Sequence, residues 1–284
     1  MDYNFSKDLK AIREILGLSQ SELAKIIGTE QATISRNETA QTSPSLRLLE
    51  EVYGYAYRKN IKINKLKEML WKEELGSESK LLFHGSKSEI IGEINENCGR
   101  ANNDFGHGFY TGESYEQSVS FVSGFEDSSI YFLSFADKNL KCKKYDVNQE
   151  WMMTIAYYRG TLEEYHEHPK IKALIEESRE CDYIIAPIAD NRMFQIINSF
   201  IGGEITDEQC KHCLVATNLG MQYVFISKKA VSQINLLERC YISNNEKAFY
   251  KKVRAEESKF GDDKVKLARI QYRGQGRYID EILN

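Results

Sequence analysis

Proline is scarce in this chain, three residues in 284, and no long Ser/Gly tract or single-residue run accompanies it. Together these features argue against large disordered or low-complexity segments. Long apolar runs are missing too. No stretch approaches the roughly eighteen residues that mark a membrane span. The opening Met1-Asp2-Tyr3-Asn4-Phe5-Ser6 has no basic region leading into an apolar core. No signal peptide and no membrane partner are expected, and the expected location is the cytoplasm. Charge of one sign is also lacking. A formal charge of −4 names no partner, because a mildly acidic whole can carry a basic face. What is present is a hydrophobic fraction of 42% and a charged fraction of 28%, the balance of a soluble globular protein with room for one large or two modest domains.

The six cysteines, Cys98, Cys142, Cys181, Cys210, Cys213 and Cys240, are scattered and expected as free thiols. Cys210-Lys211-His212-Cys213 has ligand-like spacing. No second Cys/His pair follows at a useful distance, and a structural zinc site needs four ligands. The segment therefore reads as a helix with two partly buried thiols, and no metal is expected. In Glu163-Glu164-Tyr165-His166-Glu167-His168 the histidines do not lie four residues apart, so the run reads as a solvated acidic turn.

Helical periodicity dominates residues 7–58. Leu9, Ile12, Ile15 and Leu16 recur on one face, and Gly17 ends the helix. Ser19-Gln20-Ser21-Glu22 has the form of a capping box. Leu23, Ala24, Ile26 and Ile27 follow as a buried stripe, and Gly28 turns the chain. Thr29 is placed to cap a third helix with Ala32 and Ile34. A fourth helix opens near Ser43-Pro44-Ser45, with Leu46, Leu48, Leu49 and Val52 inward. Residues 59–79 read as a connector whose Ile63, Leu66, Met69 and Leu70 keep helical spacing, with a boundary at Gly76-Ser77-Glu78-Ser79.

Leu18-Ser19-Gln20, Leu23-Ala24, Gly28, Ile34-Ser35-Arg36 and Glu38 resemble the repressor-type (Cro/XRE-like) helix-turn-helix. The resemblance implies that the helix after the turn enters the DNA major groove, presenting Glu30, Gln31, Thr33, Arg36 and Asn37. Gln20, at a helix N-terminus, then suits a phosphate. Gln and Arg pairings with adenine and guanine are worth roughly 1–3 kcal/mol of discrimination each. Asn37 stands where the family often has an aromatic. A small helical domain used for dimerisation or partner docking remains the alternative.

A second set of motifs follows. Leu81-Leu82-Phe83 leads into His84-Gly85-Ser86. Asn103-Asp104-Phe105-Gly106-His107-Gly108-Phe109-Tyr110-Thr111-Gly112 sets Gly106 and Gly108 two residues apart in an aromatic segment, and Gly permits close approach of a ligand to the backbone. Ala186-Pro187-Ile188-Ala189-Asp190 joins a strand to a helix, and Gln222 opens a late strand ending at Phe225. In this order the motifs resemble diphtheria-toxin-like ADP-ribosyltransferases of the His-Tyr-Glu type, and more closely a bacterial family of that fold with Gln at the last position.

The resemblance implies an α+β chain: a helix-turn-helix domain (1–58), a helical linker (59–79) and a split-sheet ADP-ribosyltransferase-like domain with a C-terminal helical extension (80–284). It implies NAD as substrate. His84 is placed at the adenosine-side ribose, with Gly85 and Ser86 at the nicotinamide amide. Tyr110 stacks on the nicotinamide, with Phe109 or Phe105 opposite. By its own chemistry, a planar fork of donors, Arg100 suits the pyrophosphate, with a solvated loop arginine as the alternative. Asp104, Gly106, Gly108 and Thr111 complete the binding set, and Asp190 is either a helix cap or a site residue. Gln222 stands where these enzymes place Glu, able to make the hydrogen bond to ribose but uncharged. Single ADP-ribose transfer to a nucleic acid or protein acceptor is the expected activity. The fusion fits a toxin–antitoxin or phage-defence setting with an antitoxin-like protein partner or a homodimer. An NAD-sensing transcriptional regulator without turnover, or a structural partner-binding protein, are the alternatives.

Overall fold

The computed structural model describes residues 2–217 and 220–284. Five helices come first: α1 (Phe5–Ile15), α2 (Gln20–Ile27), α3 (Gln31–Glu38), α4 (Leu46–Arg58) and α5 (Ile63–Leu75). Then follow β1 (Lys80–Ser86), β2 (Phe109–Gly112), α6 (Tyr115–Val122), β3 (Ser129–Phe135), β4 (Cys142–Lys144) and α7 (Gln149–Tyr158). A 3-10 turn (Glu163–Tyr165) precedes α8 (Pro169–Arg179), β5 (Tyr183–Pro187), α9 (Asn191–Ile201), α10 (Asp207–Val215) and β6 (Met221–Phe225). The chain continues with α11 (Lys228–Val231), β7 (Ile234–Tyr241), α12 (Asn244–Gln271) and α13 (Ile279–Leu283). The fold class is α+β, helices first and then mixed strands with helices. Among the described residues no helix is long and apolar enough to cross a membrane.

Packing divides the chain into two compact units. One comprises Met1–Ile91, Tyr115–Phe135 and Asn235–Val253; the other comprises Gly92–Ser114, Ala136–Ile234 and Arg254–Asn284. These units follow contacts, whereas the division at residues 58 and 79 follows motif order.

In the first unit, local signals set the helix ends. The Ser19 hydroxyl accepts from Glu22 N at 3.2 Å while Ser19 N donates to Glu22 Oε2 at 2.7 Å, the expected capping box. Gly28 ends α2 in the left-handed region (φ +68°). Glu30, not Thr29, occupies the N-cap of α3, without a side-chain bond. The Ser45 hydroxyl caps α4. Leu9, Ile12, Leu23, Ile34, Leu49 and Val52 form the core of α1–α4. Ile26 and Leu46, expected inward, are exposed. Ile26 lies about 100° around the helix from the buried Ile27, and Leu46 is the first residue of α4.

The connector is a helix, α5, and Ile63 is buried, but the rest of its apolar stripe is not. Met69 and Leu70 are 59% and 63% exposed, while Asn64, Lys67 and Glu68 are buried. The reason is long-range. Lys67 Nζ donates to Asp8 of α1 and, at 2.6 Å, to Glu238 of β7. Tyr53 donates to the same Asp8, Trp71 Nε1 donates to Glu238 at 3.2 Å, and Asn64 Nδ2 donates to Tyr241 O at 2.9 Å. Burial alone would push the Lys67 ammonium down; the adjoining Asp8 and Glu238 carboxylates reverse this and hold it charged.

β1 and β3 pair antiparallel from Lys80↔Phe135 to Ser86↔Ser129, and β7 flanks β3. The strand therefore includes His84, Gly85 and Ser86. Val119 and Val122 of α6 pack with Phe83, Ile130 and Phe132.

In the second unit the strand order is β4-β5-β6-β2. β4 and β5 are parallel, and β6 is antiparallel to both β5 and β2. Gln222 on β6 is the register partner of Gly112 on β2 and Ala186 on β5. Trp151, Ile155, Ile184, Phe200 and Val224 lie in the core, joined by Ile279, Ile282 and Leu283 of α13. Cys210 and Cys213 lie buried on α10 as free thiols.

Candidate functional site

Three of the motifs meet at one carboxylate. Asp104, 5% exposed, precedes β2 by a short loop. Its Oδ2 accepts from Gln222 Nε2 at 2.8 Å and from Ala189 N at 3.0 Å. Its Oδ1 accepts from Arg159 Nε at 2.9 Å and from Arg159 Nη2. Arg159 Nη2 also donates to Ala189 O, so the ion pair holds both polar groups of that residue's backbone. Gln222, also 5% exposed, donates a second bond to Pro187 O at 3.1 Å. An amide suits this place because both neighbours accept; a carboxylate here would face another carboxylate and a carbonyl. Arg159 caps the C-terminus of α7 and lies 4.5 Å from the Phe194 ring centroid.

The aromatic segment is built largely inward. The Tyr110 hydroxyl donates to Gly106 O at 2.8 Å and accepts from Phe105 N at 3.1 Å, closing the loop before β2. Burial pushes the Tyr110 phenol far above its ordinary range, so it stays protonated. Phe105 packs on Tyr145 with ring centroids 5.3 Å apart, and Phe109 on Phe225 at 6.5 Å; both are buried in protein. A Cβ on Gly108 would come within 2.9 Å of Val224 Cγ1 and 3.1 Å of Phe225 O, so the glycine admits β6 itself. Gly106 (φ +73°) shapes the same loop. Thr111 is buried, Arg100 is exposed on its loop, and Asp190 is the N-cap of α9, accepting from Arg192 N and Met193 N at 3.0 Å. His84, Gly85 and Ser86 belong to the first unit. The His84 ring lies 6.5 Å from Tyr131, and a Cβ on Gly85 would meet Ser118 O of α6 at 2.7 Å.

On the helix-turn-helix, Gln31 and Arg36 are exposed and Thr33 is half-buried. Gln31 Nε2 donates to Gln20 Oε1 at 2.6 Å, and Gln20 Nε2 donates to Glu38 at 2.8 Å. Glu38 also accepts from Arg13 Nε at 2.6 Å. Burial raises the Glu38 carboxyl, but the bonds from Arg13 and Gln20 outweigh it and hold the pKa below the ordinary value. Asn37, expected among the DNA-facing residues, is instead 4% exposed and donates to Thr33 O at 2.9 Å. It lies one turn after the buried Ile34 and shares its inward face. A concavity of about 380 Å³ between α3 and α4 carries Thr33, Arg36, Ser43 and Arg47.

Residues 81–236 match the family model described as protein of unknown function (DUF3990). The chain belongs to this family. Residues 9–52 match a helix-turn-helix family, which implies DNA binding. No curated protein and no solved structure matches the chain.

The DUF3990 span contains Asp104, Arg159, Ala189 and Gln222. Arg159 is absent from the sequence-based set. Its only local signal is a cation at a helix C-terminus, where it also offsets the helix dipole. Its partner Asp104 lies 55 residues away in the chain.

Proposed function

We propose that the chain is a mono-ADP-ribosyltransferase that takes NAD as substrate, modifies a macromolecular acceptor and is directed by its helix-turn-helix to DNA. The observation that carries this reading is the Asp104–Gln222 hydrogen bond. An ionised carboxylate only accepts, so Asp104 fixes the Gln222 amide with Nε2 inward and leaves Oε1 as its acceptor. A ribose hydroxyl is a matching donor. In the transfer, the bond between ribose C1′ and the nicotinamide nitrogen breaks and nicotinamide leaves with the electron pair. An acceptor nucleophile forms the new bond to C1′ and loses its proton to solvent. The resemblance adds His84, Gly85 and Ser86 on the NAD side and the Tyr110 ring against the nicotinamide, and the exposed Arg100 carries donors suited to the pyrophosphate.

One observation favours a second reading, an NAD-sensing regulator without turnover. Arg159 neutralises Asp104, and Gln222 has no charge of its own. The cluster thus offers little net negative charge to stabilise a developing oxocarbenium ion.

NAD labelled in its adenylate half, incubated with the purified chain and a cell lysate, separates the readings. Transfer of label with release of nicotinamide, both lost in Gln222→Ala, supports the transferase. Saturable NAD binding without nicotinamide release supports the sensor. Absence of NAD binding overturns both.

A further inference from the structure

The second unit contains a cavity of about 700 Å³ that none of His84, Tyr110 or Gln222 lines. Small-molecule sites span roughly 300–1,000 Å³. Its walls are rich in rings. Tyr157, at the end of α7, and His166, after the 3-10 turn, lie with their planes within 20° of parallel and centroids 6.4 Å apart. Tyr158 stands at 90° to Tyr157, with centroids 5.5 Å apart, and Phe105 lies 6.5 Å from Tyr158. Two charged side chains also line the cavity. Arg179, the last residue of α8, lies beside the Tyr158 and Tyr157 hydroxyls, whose hydrogen bonds raise its pKa further. Glu163, exposed on the 3-10 turn, supplies an acceptor.

These groups correspond to the parts of one kind of ligand. Ring faces take a planar heteroaromatic by stacking, a guanidinium takes a phosphate, and a carboxylate takes an exocyclic amine. An aliphatic ligand would gain nothing from the near-parallel rings, and an uncharged aromatic would gain nothing from Arg179.

We propose that this cavity is a binding site for a nucleotide other than NAD, its base against Tyr157 and His166 and its phosphate at Arg179. The nucleotide is either a free monophosphate or one unpaired residue of a single strand. Phe105 and Gly106 in the cavity wall directly follow Asp104, which holds Gln222. Under the transferase reading, on which this one step rests, a single-strand residue held here would make nucleic acid the acceptor. Binding itself is independent of that reading and is measured without NAD.

The test titrates the full chain with 2-aminopurine riboside monophosphate, with the riboside alone, and with a single-stranded trinucleotide carrying the same base, following fluorescence quenching on stacking. The monophosphate or the trinucleotide is expected to quench saturably; the tighter of the two identifies the source. His166→Ala, at an exposed position, should weaken binding roughly 5- to 100-fold, and Tyr157→Ala similarly where its melting temperature shows it folded. Arg179→Ala should weaken the phosphate-bearing probes and leave the riboside unchanged. No quenching by any probe, or unchanged affinity in His166→Ala and Arg179→Ala, overturns the proposal. Displacement of the probe by saturating NAD also overturns it, because the cavity would then hold the adenylate half of NAD.

Discussion

In the first unit two carboxylates, Asp8 and Glu238, share the Lys67 ammonium; in the second, Asp104 is shared by a guanidinium, a backbone N–H and an amide. Both clusters are buried, and both join segments far apart in the chain. Their ends differ. The Lys67 cluster closes on Tyr53 and Trp71, whose polar atoms are spent on Asp8 and Glu238. The Asp104 cluster ends on Gln222, whose inward bonds occupy only its Nε2. The first arrangement ties helices to a strand; the second orients a polar group. A third case sharpens the contrast. Glu246 in the first unit has Tyr115 and Asn64 as donors at 2.8 and 3.3 Å and, among the described residues, no cation bonded to it, and burial pushes its carboxyl up to about 7.

Breaking the cluster that only ties should cost most. Lys67→Met leaves Asp8 and Glu238 buried without their cation and is expected to lower stability by about 3–5 kcal/mol, read by urea unfolding. Adding Asp8→Leu and Glu238→Leu should restore most of that loss, because the apolar replacement removes the stranded charges. A cost that persists in the triple variant would show that packing, not charge, holds α5. Gln222→Glu probes the orienting cluster. It sets a carboxylate against Asp104 and should cost about 2–4 kcal/mol at pH 8. The new carboxyl's pKa is raised in the folded state, so the penalty grows as pH rises through the carboxylate range and fades below about pH 4. A pH-independent penalty would deny the Asp104 contact its role.

The smallest effect is expected at Glu246. Its folded pKa of about 7 exceeds the ordinary 4.5. Its contribution is therefore fully present below pH 4.5 and lost as pH rises to 7. Glu246→Gln should leave stability unchanged near pH 4 and raise it by up to about 3 kcal/mol at pH 8, at 1.36 kcal/mol per pH unit. Parallel pH profiles for parent and variant would show that Glu246 ionises freely in the folded state.

What the sequence disclosed follows the range of each interaction. The capping box joins residues only three apart, Ser19 and Glu22, and was legible. The exposure of Met69 and Leu70 on α5 was not. Met69 and Leu70 satisfy helical periodicity, and nothing near Lys67 in the chain announces Glu238, 171 residues away. The same holds for the candidate site. Asp104, Ala189 and Gln222 stood out as parts of motifs, but the hydrogen bonds joining them needed the register that puts Gln222 opposite both Gly112 and Ala186. Phe105, Phe109 and Gly108 stood out for ligand-like chemistry, and their nearest neighbours proved to be the protein's own side chains and strands.

The Lys67 cluster also bears on how such a chain is assembled over generations. A recombination junction placed in the connector would part Asp8 and Tyr53 from Lys67, Trp71 and Glu238. The incoming helices would then bring a foreign residue to a buried ammonium. A helix-turn-helix from another gene is thus not exchangeable at this junction unless it carries an acid at the position of Asp8.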